Sequence, residues 1–353
     1  MIPGKNVYNG KQNEICGFEE LSCFRWGYEV IAMQMVDFNQ YEQNQRMYGG
    51  TAGRKMGIVY KGKNYILKFP GNLKEQQMKN IQLSYSNSPV CEYIGSQIYR
   101  LLGFPVHDTV LGFRNGKTVV ACGDFLEDGD RLYEFDKIKV TFDPPFLDSS
   151  GNETNGVGVD LYEILMTIQE HPFLKGLDLV QERFWNMFVI DALIGNTDRN
   201  NSNWGVIVRG NGKKELAPVY DNGNCLNSKW NDEKMQTVLS NEKNLEAEAF
   251  SARRCIFELK DRKINPYHLI GRMEYEGCNH AVRNIIPKVA AALPEIQEMI
   301  LGIPVLTKIQ KKFYLAVMGE RYEKVLKPTY YKITGQEMNA ERPTETREGR
   351  RCR

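Results

Sequence analysis

The sequence predicts an α+β chain in two lobes: a small sheet-rich one over residues 1–125 and a larger, mainly helical one over residues 126–333. A charged tail over 334–353 reads as disordered. Three observations predict this. Short β-type runs joined by glycine turns crowd between Ile58 and Cys122 around a single helical pattern. From Val159 onward the apolar spacing is mostly helical. One polar stretch, Ile194 to Trp204, breaks that helical half and leads into a hairpin pattern ending at Tyr220-Asp221-Asn222-Gly223.

Composition sets the outer bounds. A chain of 353 residues, 42% hydrophobic and 25% charged, is that of a soluble globular protein with a sizeable core. A net charge of +2 gives no electrostatic case for nucleic acid, so direct nucleic-acid binding is not expected. No apolar run approaches the ~18 residues of a transmembrane helix, and Met1-Ile2-Pro3-Gly4-Lys5 lacks a signal-peptide core. The eight cysteines are scattered without CxxC, which favours free thiols and a cytoplasmic location. His107, His171, His268 and His280 form no metal-ligand pair and read as ordinary.

Taken in order, Phe24 to Phe38 suits a strand or short helix, and Asn39 to Gln45 is polar linker. Tyr48 to Gly57 is glycine-rich; such a loop brings backbone N–H groups to phosphate oxygens, though a plain turn looks similar. Strands follow at Ile58 to Lys61 and Tyr65 to Phe69, around Gly62-Lys63-Asn64. Lys68 closes an otherwise apolar strand, so it must snorkel out or find anions. Ser88-Pro89 opens a helix as N-cap and first-turn proline, with Val90, Ile94, Ile98, Leu101 and Leu102 as its buried stripe. Glu92, the only acid in its body, points away from that stripe; it would meet Lys68 by facing a cleft while the stripe faces the sheet. Val106 to Phe113 and Lys117 to Cys122 flank an Arg114-Asn115-Gly116 turn, and the chain leaves through Gly123-Asp124-Phe125. Leu126 to Gly158 reads as loop with short helices, and Ala281 to Leu301 and Val305 to Leu326 as packing helices.

The chemistry concentrates after an apolar helix, Leu177 to Leu193, which Gly195-Asn196 ends. Trp204 to Val208 and Leu216 to Tyr220 read as strands around Gly210-Asn211-Gly212. Centred on Gly212, that hairpin sets Asn203 opposite Asp221, about 5 Å apart. Asp198 reaches over from the helix exit. Oxygen ligands of this kind suit Mg²⁺. An Asp, an Asn five residues on and a second Asp on the next strand is the layout of protein kinases. Asx turns alone would explain one of these residues more readily than all three.

The series Tyr65-Ile66-Leu67-Lys68-Phe69-Pro70, Glu92-Tyr93 through Leu102-Gly103-Phe104-Pro105-Val106, Leu193-Ile194-Gly195-Asn196-Thr197-Asp198-Arg199 and Ala217-Pro218-Val219-Tyr220-Asp221 resembles the HipA-type serine/threonine kinases, in particular their short, CtkA-like bacterial branch. The resemblance implies a bilobal protein-kinase-like fold, ATP and Mg²⁺ as cofactors, and phosphorylation of protein hydroxyls, with autophosphorylation. Asp198 would be the catalytic base, Lys68 the phosphate-holding lysine beside Glu92, and Asn203 and Asp221 the metal ligands. Gly50, Thr51, Ala52, Gly53, Arg54, Lys55 and Met56 would cover the nucleotide. Cys122, Gly123, Asp124 and Phe125 would form the hinge, with Asn200 and Tyr220 as further nucleotide contacts. In the longer HipA toxin a serine of the covering loop is autophosphorylated, and Thr51 is the nearest hydroxyl here. Two departures stand out: Asn200 replaces a histidine usual in the family, and fewer than fifty residues precede the glycine loop. The second argues against an antitoxin-like partner. Two alternatives remain: a lipid kinase of the phosphatidylinositol 4-kinase type, and a nucleotide-binding pseudokinase. The protein substrate is not legible.

Overall fold

The computed structural model describes residues 33–335 apart from 50–53, 73–85, 144–145, 148–149, 152, 154–155 and 252–254. The first half is built from β1 (Val36–Asp37), β2 (Lys55–Tyr60), β3 (Lys63–Lys68), helix α1 (Ser88–Leu101), β4 (Thr109–Arg114) and β5 (Lys117–Gly123). The strands form one sheet in the order β1-β4-β5-β3-β2, antiparallel except where β1 meets β4. Lys61-Gly62 and Asn115-Gly116 both take positive φ, the tight-turn geometry that matches the twist of the flanking strands.

Alternation along the strands sorts the side chains. Met56, Ile58, Tyr60, Tyr65, Leu67, Val119 and Ala121 pack with Phe38 on one face. On the other, α1 packs through Val90, Ile94 and Ile98 against Leu111, Val120 and Cys122. Two details of α1 differ from expectation. Its N-cap is Asn87, without a side-chain cap bond, and Leu101 is 39% exposed. Glu92, Ser96 and Tyr99 are buried instead, because the helical half covers a second face of the helix.

The second half contains β6 (Arg131–Glu134), α2 (Phe135–Lys139), α3 (Leu161–Glu170), α4 (Val180–Ile194), β7 (Gly205–Val208) and β8 (Lys214–Leu216). Then come α5 (Asp232–Leu239), α6 (Glu242–Ala249), the hairpin β9 (Glu258–Leu259) and β10 (Arg262–Lys263), α7 (Pro266–Arg272) and α8 (Glu276–Gly302). Finally α9 (Lys308–Arg321) runs through a π turn into α10 (Lys327–Thr334). α4 is buried from Phe184 to Ile194 and forms the centre of this half. β6 joins β7 and β8 in a three-stranded sheet, so the turn-rich region after Leu126 contributes a strand as well as the short helix α2. Most of the Phe24 to Phe38 run and the tail beyond residue 335 lie outside the described residues. Cys91, Cys122, Cys225, Cys255 and Cys278 are buried free thiols. Among the described residues, no helix is long and apolar enough to cross a membrane.

Candidate active site

α4 stops at Gly195, in the left-handed conformation that glycine adopts without strain. A Cβ there would also lie 2.7 Å from the Arg321 guanidinium. Beyond this stop the loop is organised by Arg199, which is 2% exposed. Its guanidinium pairs with Asp191 at 2.7 Å and donates to the backbone oxygens of Asn203 (3.0 Å) and Tyr220 (2.6 Å) and to the Asn222 side chain. One cation therefore ties together the beginning of the loop, its end and the chain on both sides of Asp221. Burial alone would lower the Arg199 pKa, but Asp191 beside it raises it above the usual arginine value. Asp191 also accepts from Tyr99 Oη (3.0 Å) and Asn196 Nδ2 (3.1 Å). Sequence reasoning missed Asp191; the available signal was an acid inside the apolar run Val189-Ile190-Asp191-Ala192-Leu193.

Asp198 is half-buried, and each carboxylate oxygen accepts one amide: Asn200 Nδ2 at 3.0 Å and Asn224 Nδ2 at 2.8 Å. The Asn200 carbonyl oxygen accepts from the Ser202 N–H and hydroxyl, so this side chain is engaged within the loop. Asn203 donates through Nδ2 to the Asp198 backbone oxygen at 2.6 Å. The hairpin that follows is centred on Asn211, pairing Val206 with Leu216 and Val208 with Lys214. Extended, that register would set Asn203 against Val219, and Val219 pairs instead with Val106. The expected cross-strand Asn203–Asp221 pair is therefore absent. Arg199 brings the two together by bonding the backbone at Asn203 and just before Asp221.

Asp221 takes positive φ, which aspartate tolerates better than most residues. Its carboxylate meets Lys68 Nζ, which also lies 3.2 Å from Glu92 Oε2. Glu92, 2% exposed, accepts from His107 Nε2 (2.9 Å) and the Asn222 N–H (3.1 Å) through Oε1. Burial would raise its pKa, but Lys68, and after it His107, hold it well below the usual carboxylate range. Burial likewise works against the Lys68 charge, and Glu92 outweighs it, so the lysine is raised well above its ordinary value. Both groups are charged at neutral pH. Glu92, His107 and Cys122 bring three potential ligand atoms within 4.8 Å of one another. Both Glu92 oxygens are already engaged and burial pushes the Cys122 thiol up, so the cluster is a hydrogen-bonded network rather than a cation site.

This geometry has a named counterpart. The serine/threonine-protein kinase CtkA of Helicobacter pylori is 32% identical over 297 residues, spanning 83% of this chain and 87% of CtkA. The chain belongs to the CtkA-type serine/threonine kinases. The crystal structure of the proinflammatory kinase CtkA from the same organism matches with a TM-score of 0.77 at 30% identity, over 87% of this chain and all of that one. A TM-score of only 0.42 at 16% identity relates it to HipA in a Shewanella oneidensis complex with HipB and operator DNA. No protein-family model matches.

In this CtkA-type kinase the sheet side of the cleft departs from expectation in several places. Met56 faces away from Lys68, in the cluster on the opposite face of the sheet, because strand residues alternate. Lys55 does share the Lys68 face and stands directly across from it. Arg54 lies over the Phe69 ring at 5.0 Å. Gly50, Thr51, Ala52 and Gly53 lie outside the described residues. At the expected hinge the Gly123 and Asp124 N–H groups are taken by Asp108 O and Asn64 O. The Asp124 carboxylate accepts from Arg46 and the Tyr48 hydroxyl, each at 3.0 Å. The Phe125 ring stands 5.6 Å from that of Tyr220, whose hydroxyl bonds Ser202 O.

Proposed function

We propose that this kinase uses ATP with Mg²⁺ and that the cleft between Lys68 and Asp198 performs the transfer, with residues 123–125 as the hinge. The observation that carries the reading is Lys68 held between Glu92 and Asp221, beside a loop that fixes Asp198 and Asn203 through Arg199. The residues fit the two groups. Lys55 and Lys68 stand directly opposite each other on β2 and β3, with Lys55 Nζ donating to Gly49 O and Lys68 held by Glu92 and Asp221, so two cations on one face of the sheet would be within reach of an anionic triphosphate. Asp221 already has a cation, the Lys68 ammonium, against its carboxylate. Together with the Asn203 side-chain oxygen it would supply the hard oxygen donors that Mg²⁺ prefers.

When bound, the metal neutralises charge on the phosphate oxygens and ATP supplies the γ-phosphoryl group. The protein's part is placement. Asn200 and Asn224 hold the Asp198 carboxylate so that it can orient a serine or threonine hydroxyl and take its proton. Lys68 would draw the phosphates toward Glu92, and the water-poor wall behind them would strengthen that attraction. Autophosphorylation is part of this reading, with Thr51 as the first hydroxyl to examine.

The test is incubation with γ-labelled ATP and Mg²⁺, wild type beside Asp198→Ala, offering a generic protein substrate and phosphoinositide vesicles. Label should appear on protein, disappear in the variant, and leave ATP binding largely intact. Label on lipid alone, or none while ATP still binds, would overturn the reading; peptide mapping of the labelled chain decides Thr51.

A further inference from the structure

We infer that His107 is a positioning residue for phosphoryl transfer, holding Glu92 and through it Lys68; this rests on the kinase reading above. Glu92 and Ser96 are four residues apart on α1, hence on the same face, and His107 Nε2 meets both, at 2.9 Å and 3.1 Å. A carboxylate can only accept, so Nε2 carries the hydrogen. The imidazole hangs from a segment pinned at both ends of a short bridge: the His107 N–H bonds Val219 O, and the Val219 N–H bonds Pro105 O. That segment is thereby fixed to the chain two residues ahead of Asp221.

The network continues into the helical half. Ser96 Oγ accepts from Asn222 Nδ2, and Asn222 Oδ1 accepts from Arg199. The face of α1 that carries Glu92 is also closed to movement. A Cβ at Gly95 would lie 2.8 Å from that of Asn222, and one at Gly223 would lie 3.2 Å from Glu92 Oε2. Glu92 is therefore a fixed post, whereas Asp221, the other partner of Lys68, has a side chain 38% exposed. Lys68 therefore bonds one buried and one more exposed carboxylate at the same time. His107 supplies the one side-chain donor to Oε1: without it Oε1 keeps only the Asn222 N–H, and the carboxylate is held by Lys68 and that backbone bond alone.

The test compares His107→Leu, which keeps bulk and removes the donor, with His107→Gln, which restores one, each in wild-type and Glu92→Gln backgrounds. In the wild-type background His107→Leu should lower kcat by about tenfold to a hundredfold while KM for ATP moves by less than about threefold. His107→Gln should recover most of it. In the Glu92→Gln background, and in nucleotide-free urea unfolding, the effect of His107→Leu should largely vanish, because the two side chains act as one unit. Wild-type kcat in His107→Leu, or an equal loss with and without Glu92, would overturn the inference. So would a folded His107→Gln as impaired as the leucine variant. If His107→Leu does not fold, the glutamine variant and its Glu92→Gln double variant carry the comparison. Failure of the kinase reading itself shows separately, as a wild type that transfers no phosphate.

Discussion

On the helical side of the cleft, Asp198 and Asn203 depend on a guanidinium that solvent barely touches, and its arms meet oxygens from α4, from the loop and from the chain on either side of Asp221. At the proposed hinge on the sheet side, the tie is of another kind. Arg46, whose side chain is 35% exposed, reaches Asp124 and an almost fully exposed Asp128, and Tyr48 adds one hydroxyl. A buried ion pair resists loss of either partner, because the survivor is left charged in a poor solvent. An exposed pair is screened and loses little when broken. In the proposed reading, the end of the cleft that would carry out the transfer is thus built to stay put, and the end that would admit the nucleotide is closed with ties that open cheaply.

The largest effect should come from removing the centre of the rigid end. Arg199→Met leaves Asp191 buried without its cation and frees the backbone oxygens of Asn203 and Tyr220, and should destabilise the fold by about 3–5 kcal/mol. Chemical denaturation measures this, and a wild-type midpoint would show that the loop does not depend on the pair. A smaller change is expected at Asn224, whose amide fixes only one oxygen of Asp198. Asn224→Ala should lower kcat by about tenfold with KM for ATP unchanged and cost about 1 kcal/mol of stability. Steady-state kinetics decides it; a change confined to KM would mean that Asn224 serves the nucleotide instead.

The same contrast explains what could be read in advance. The β4–β5 hairpin was legible because Asn115-Gly116 demands its turn, and Lys68, Asp198, Asn203 and Asp221 could be singled out as candidates because residues of these types recur at a fixed spacing. The hairpin centre was missed by one residue, which shifts each pairing by two, because the glycines at 210 and 212 allow either centre and only the pairing itself chooses. Glu92 on a helical wheel points away from the apolar stripe, yet it is buried. A wheel assumes one buried face, and α1 has two. His107 was set aside for a similar reason. Its partners are Glu92 and Ser96, eleven to fifteen residues earlier, and nothing near it in sequence shows that Val106 and Val219 pair beside it. β6 was invisible because a short polar strand becomes one only when β7 is there to receive it.

The smallest effect on stability, and the most telling about the hinge, belongs to Arg46→Ala. Arg46 bonds Asp124, Asp128 and the Leu126 backbone oxygen from a position close to solvent, so thermal unfolding should be indistinguishable from wild type. Its removal leaves Asp124 with the Tyr48 hydroxyl and its own turn to Leu126, and releases the segment joined to β2 through the Asn44 N–H and Gly57 O. Nucleotide release should then quicken by about threefold or more, and the difference from wild type should shrink as salt screens the wild-type ion pairs. Stopped-flow displacement of a fluorescent ATP analogue at low and high salt reads both quantities. An unchanged release rate at low salt would mean that the exposed tie does not gate the cleft, and that exchange is limited by the same rigid end that holds Asp198.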